Sequence, residues 1–118
     1  MENEVHTASA CNAILTPIGD ALYVIGGKWK LRVISSLRDG SMRFNEIQRT
    51  VDGISARVLS AELKELELNG FVKRIVHHKA TPVVVEYQLT EYADTLNEIL
   101  YALASWGTMH RDKLRKER

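Results

Sequence analysis

A mainly α-helical fold with a single small β-hairpin is what this sequence predicts, and three observations predict it. Apolar residues recur at helical spacing in five stretches between residues 16 and 110. The period changes over Phe71–His77 and Val83–Leu89, which are rich in Val, Ile, Phe and Tyr. Glycine-containing pairs punctuate the chain between these stretches. With 118 residues, 45% of them hydrophobic and 26% charged, there is material for one core and no sign of wholesale disorder.

The elements follow in order. Thr16-Pro17 reads as a helix start, with Thr16 as N-cap and Pro17 at the first position, where its missing N–H costs nothing. Ile18, Leu22 and Ile25 share one face of that helix, and Gly26-Gly27 ends it. Trp29, Val33, Ile34 and Leu37 define a second helix closed by Asp39-Gly40. A short third helix spans Met42 to Val51, with Phe44, Ile47 and Val51 inward. The fourth starts at the N-cap Ser55 and stops at Asn69-Gly70. The two strands are joined by His78-Lys79-Ala80-Thr81-Pro82, a basic hairpin tip. Thr90 is read as the cap of a long last helix, with Glu91 and Asp94 in its first turn, where the helix dipole favours negative charge. The expected organisation is a flexible arm over residues 1–15, a domain over 16–110 and a charged tail over 111–118.

Three helices followed by a two-stranded wing describe a winged helix-turn-helix, to which the N- and C-terminal helices are additions. Short helix, glycine-containing turn Asp52-Gly53-Ile54 and longer helix form the helix-turn-helix itself. On the fourth helix, Leu59, Leu63 and Leu66 fall within roughly 60° of one another and face the core. Arg57, Ser60, Ala61 and Lys64 cluster on the opposite side. Such a face suits a major groove: Arg bonds guanine bidentately, Ser reads bases or phosphate, and a small Ala permits close approach. An amphipathic helix with a solvated polar face would look the same, so the weight comes from the turn before it and the basic hairpin after it. Ser55, Arg43, Arg74, Lys79, Lys28 and Lys30 join the candidate DNA-binding set, the last five as cations for phosphates or the minor groove.

Charge distribution agrees. Residues 28–79 hold eleven Lys or Arg against six acids, whereas the flanks hold none against three and five against six. A basic centre between acidic or neutral flanks is the footprint of a polyanion-binding module.

The sequence also resembles the HxlR-type transcriptional regulators. The resemblance rests on Gly26-Gly27-Lys28-Trp29, Arg43-Phe44-Asn45-Glu46-Ile47, Gly53-Ile54-Ser55 and the Val58-Leu59-Ser60, Leu63, Leu66 pattern. It continues through Asn69-Gly70-Phe71-Val72 with Arg74, then Pro82, Val85-Glu86-Tyr87, Leu89-Thr90 and the late Trp106, covering about residues 16–110. It implies a homodimer with the fourth helix as recognition helix and the terminal helices as dimer interface. It also implies action as repressor or activator, in some members through a cysteine that responds to oxidants or electrophiles. Where that family often carries Cys-Pro, this sequence has Thr16-Pro17, and Cys11 lies five residues upstream. Cys11 is therefore either an incidental thiol or a redox switch, the latter needing a nearby cation or helix N-terminus to lower its pKa.

The last helix is about 30 Å long over Thr90–His110, more than so small a domain needs for its own core. A second subunit is the expected cover for Leu22, Leu96, Ile99, Leu100, Leu103 and Trp106. Two-fold symmetry then places two recognition helices about 34 Å apart and calls for a pseudo-palindromic double-stranded operator. No enzyme is expected, because no nucleophile–base pair or cofactor loop can be assembled; Gly26-Gly27-Lys28 lacks the remainder of a phosphate loop. No metal is expected at His77-His78, since neighbouring strand residues point to opposite faces. No cofactor is expected, and a small-molecule or redox effector is left unassigned. With no apolar run long enough to span a bilayer and an acidic start unlike a secretory signal, a cytoplasmic location is expected. Together these expectations describe a sequence-specific regulator of transcription, most simply a repressor. The alternative is a winged-helix module that binds protein and not DNA.

Overall fold

The computed structural model describes the backbone of residues 8–117 and the side chains from residue 12. Helix α1 spans Ala8–Ile25, α2 Lys30–Ser36, α3 Phe44–Thr50 and α4 Ala56–Leu68. Strand β1 is Met42–Arg43, β2 Val72–His77 and β3 Val84–Leu89; a 3₁₀ segment, Glu91–Leu96, then leads into α5, Asn97–Lys116. The chain is a winged helix-turn-helix, mostly helical with a three-stranded antiparallel sheet in the order β1-β3-β2.

The core is one cluster built mainly from the apolar stripes of α2, α3 and α4. Val33, Ile34 and Leu37 come from α2 and its end, Ile47 and Val51 from α3 and its end, and Leu59, Leu63 and Leu66 from α4. Ile25, Ile54, Phe71, Val72, Ala93 and Leu96 complete it. The helix-turn-helix corner needs Gly53, whose φ of 86° lies in the left-handed region that side chains with a Cβ rarely adopt. Helix α4 starts as its sequence dictates: the Ser55 hydroxyl accepts the Val58 N–H at 3.1 Å, a cap worth about 1 kcal/mol. At its other end Phe71 N–H returns to the Leu66 carbonyl, so the chain leaves the helix directly into β2.

Four expectations are corrected. Helix α1 begins at Ala8 rather than Thr16, so residues 8–15 of the expected arm are helical and Pro17 sits inside the helix. An interior proline forfeits its own hydrogen bond and its ring crowds the preceding turn; against that cost stand the Ala-rich stretch before it and the apolar face that continues through it. Met42 and Arg43 are not helical; they pair with Tyr87 and Glu86 as a third strand. Two residues are too few to show a period in sequence.

The expected long last helix is interrupted. Thr90 donates its hydroxyl to the Gly70 carbonyl instead of capping α5, and the chain makes a 3₁₀ turn that buries Ala93 and Leu96 before α5 begins. Stacking of Tyr92 on Phe71, with centroids 5.1 Å apart, holds this turn against the start of the wing. Finally, most of the expected tail is helical, because α5 runs to Lys116.

Helices α1 and α5 position little of their apolar surface on this core. No residue of α5 itself is buried, although Leu100 packs partly against the cluster. Among the described residues its polar anchor is Tyr101, whose hydroxyl accepts from Arg38 at 2.7 Å while the guanidinium lies 4.7 Å from the ring centroid. At the α1–α2 corner, a Cβ on Gly26 would stand 2.2 Å from the Leu22 carbonyl oxygen, so only glycine fits this turn.

Candidate nucleic-acid interface

Burial of Leu59, Leu63 and Leu66 fixes the rotation of α4 about its axis. The opposite face is thereby turned to solvent: Arg57, Ala61 and Lys64 are exposed and Ser60 is half-buried. Ser55 is exposed too, but its hydroxyl oxygen is engaged as the N-cap, leaving its proton free to donate. Among the described residues, neither Arg57 nor Lys64 has a carboxylate within ion-pairing distance. Two unpaired cations flanking a small residue on one helical face form a surface ready for an anionic partner.

The wing adds to it. Lys79 and His78 sit exposed at the hairpin tip, and Arg74 is exposed on β2 opposite Tyr87. His77 is engaged, its Nε2 lying 2.6 Å from Glu86 Oε1 across the two strands. In front of α3, the Glu46 carboxylate accepts the Arg43 backbone N–H at 2.8 Å, and among the described residues the exposed Arg43 guanidinium has no carboxylate within ion-pairing distance. Ser41, Arg43, Asn45 and Arg49 line one shallow groove with Glu46 and Glu86. Arg49 is a cation that sequence reasoning passed over, because an exposed Arg in the last turn of a short helix carries no distinguishing pattern.

Lys28 lies with its ammonium 4.8 Å from the Trp29 ring centroid, and Arg32 with its guanidinium 4.9 Å from the same centroid. Trp29 itself packs against the core. Lys30 departs from its expected role. Its ammonium is 3.0 Å from Glu62 and 2.5 Å from Glu65, and its side chain is only 12% exposed. It cannot reach a phosphate from there without breaking both pairs. The hydrogen bond to Glu65 holds the ammonium above its ordinary pKa against the opposing effect of burial, with Glu62 adding to the rise.

The residues expected to bind a second subunit divide in two. Leu96, 5% exposed, belongs to the protein's own core, and Leu100 packs against it. Leu22, Ile99, Leu103 and Trp106 are exposed, the first at 62% and the last at 59%, in company with Ile14, Leu15, Ile18 and Met109. Cys11 falls on α1, but its side chain lies outside the described residues. Among the described residues, no helix is long and apolar enough to cross a membrane.

A sequence model of the HxlR-like helix-turn-helix family matches residues 24–115. The chain belongs to that family. Among its relatives is YybR of Bacillus subtilis, an uncharacterized HTH-type transcriptional regulator, 43% identical over 102 residues, which are 86% of this chain and 81% of YybR. Among solved structures, the redox regulator HypR in its reduced form superposes with a TM-score of 0.77 at 43% identity, covering 85% of this chain and 98% of HypR. The reduced form of the transcriptional regulator YodB from B. subtilis superposes at 0.68 with 38% identity, over 76% of this chain and 87% of YodB. This HxlR-like chain is thus placed among helix-turn-helix transcriptional regulators by both sequence and fold.

Proposed function

We propose that this HxlR-like protein is a homodimeric repressor that binds a pseudo-palindromic double-stranded DNA operator. The observation that carries this reading is the solvent face of α4, where Arg57, Ser60, Ala61 and Lys64 lie together with, among the described residues, no carboxylate pairing the two cations. Helix α4 enters the major groove, and the wing tip at Lys79, with Arg74, follows the adjacent phosphates. Arg43 and Arg49 in front of α3, and Lys28, supply further backbone contacts. The exposed apolar residues of α1 and α5 cover one another across a two-fold axis, which supports the homodimer.

Titration of labelled duplexes from the gene's upstream region, followed by fluorescence anisotropy at two salt concentrations, tests this. Tight, salt-dependent binding to one fragment is expected. Salt-insensitive failure on every duplex, with a stable protein partner in pull-downs, would establish the protein-binding alternative. Arg57→Ala is expected to cost about 1–3 kcal/mol and to relax preference at one base pair. An equal loss on all sequences would make Arg57 a phosphate contact. Lys79→Ala is expected to weaken binding evenly and to reduce the slope of log K against log salt by about one.

Redox control through Cys11 is part of the same proposal, supported by the similarity to HypR, which is described as a redox regulator. This chain has a single cysteine, so a disulfide joins Cys11 to a second chain or to a small thiol, with two protons and two electrons passing to an oxidant. Titration of reduced and oxidised protein tests it, with Cys11→Ala as control. Equal affinity in both states would leave Cys11 an incidental thiol.

A further inference from the structure

Helix α4 has a charge problem as a DNA-reading element. Over Ala56–Leu68 it carries two cations, Arg57 and Lys64, against three carboxylates, Glu62, Glu65 and Glu67. Taken alone it would approach a polyanion with a net negative charge. Lys30, the first residue of α2, reaches across to this helix and bonds both Glu62 and Glu65. The Lys30 and Glu62 side chains are 12% and 19% exposed, so this pair is shielded from the salt screening that erodes surface ion pairs.

We propose that Lys30 is an internal counter-ion for the recognition helix: it offsets one of the two charges of the Glu62–Glu65 flank, and so cancels the helix's excess of acid over base, which lets α4 enter among the phosphates, and it touches no DNA itself. This rests on the DNA-binding reading above. The packing of Leu59, Leu63 and Leu66 already fixes where α4 lies, so the particular contribution of Lys30 is charge. Its removal bares a carboxylate pair on a helix that must come within about 10 Å of several phosphates, a repulsion of order five-fold or more in affinity.

The test is anisotropy titration of the full-length protein against the operator fragment, over a salt series, with thermal melts of every variant. Lys30→Met is expected to weaken binding at least about five-fold. The triple variant Lys30→Met, Glu62→Gln, Glu65→Gln has no ion pair left, yet is expected to bind at least as tightly as wild type, because two carboxylates have gone with the one cation that faced them. Glu62→Gln with Glu65→Gln, retaining Lys30, is expected to bind more tightly than wild type, and this variant answers the question even if Lys30→Met fails to fold. The loss in Lys30→Met should shrink as salt rises, because a charge about 10 Å from the phosphates is screened over a similar distance, whereas the triple variant, which keeps every phosphate contact, should have a slope no lower than wild type.

Three results overturn the proposal. A triple variant that folds but stays weak makes the clamp mechanical, not electrostatic. A slope lower by about one whenever Lys30 is absent, the triple variant included, makes Lys30 a direct phosphate contact. Unchanged or weakened binding by the Glu62→Gln, Glu65→Gln variant shows that the two carboxylates do not oppose DNA. Wild-type protein that binds no duplex at all overturns the DNA-binding reading together with this one, which separates that failure from the other three.

Discussion

Leu103→Asp is expected to leave a folded monomer whose affinity for a two-half-site operator has fallen by about 10²–10⁴. Leu103 is 51% exposed and contributes nothing to the buried cluster, so its replacement leaves the winged domain's core intact. In the proposed dimer the same position lies in an apolar face, where a carboxylate must be desolvated without a partner at a cost of several kcal/mol. Two linked recognition helices bind with the advantage of high effective concentration; separated ones bind each half-site alone. Sedimentation equilibrium reads the assembly, circular dichroism the fold, and anisotropy on whole and half operators the coupling. A dimer that persists in Leu103→Asp would move the interface off this face of α5. A monomer with undiminished operator affinity would show that dimerisation is not how the protein gains it.

Most of the winged domain was legible because its signals are redundant. In α4 the Ser55 cap, the Leu59-Leu63-Leu66 period and the Asn69-Gly70 stop all point to one helix in one rotation. The hairpin was legible from its change of period. What escaped had no redundancy. Strand β1 is two residues long, and its existence depends on Tyr87 and Glu86 arriving beside it. The break before α5 depends on Thr90 finding the Gly70 carbonyl twenty residues away, an alternative to capping that local sequence does not disclose. Thr16-Pro17 carried a start signal that the Ala-rich stretch upstream overrode.

The site shows the same division. Residues placed by their own helix, such as Arg57 and Lys64, could be assigned a face from spacing alone. Lys30 could not, because its partners Glu62 and Glu65 lie more than thirty residues on and its basic character matches either role. On a continuous helix Leu96 falls on the interface stripe; the 3₁₀ turn rotates it into the protein's own core.

Replacing Leu59 with Ala is expected to cost about 2–5 kcal/mol, a large share of the roughly 5–15 kcal/mol that holds a domain of this size together. Leu59 is fully buried on α4's inward face, and the single cluster around it draws on every helix of the domain except α5. The loss has two parts, the transfer free energy of the missing methyls and isopropyl carbon and the cavity left in a core that cannot fully collapse. Urea denaturation at fixed protein concentration should show a lower midpoint with unchanged slope, and Tm should drop by roughly 10–20 °C. Well below that Tm, the affinity of the folded fraction for operator DNA should be nearly that of wild type, because Arg57, Ser60, Ala61 and Lys64 project from the other side of the helix. The contrast with Arg57→Ala is then complete: one variant loses stability and keeps recognition, the other keeps stability and loses recognition. A Leu59→Ala protein that is fully folded at low temperature yet has lost DNA affinity would mean that core packing sets the pose of α4, and that its two faces cannot be treated as independent.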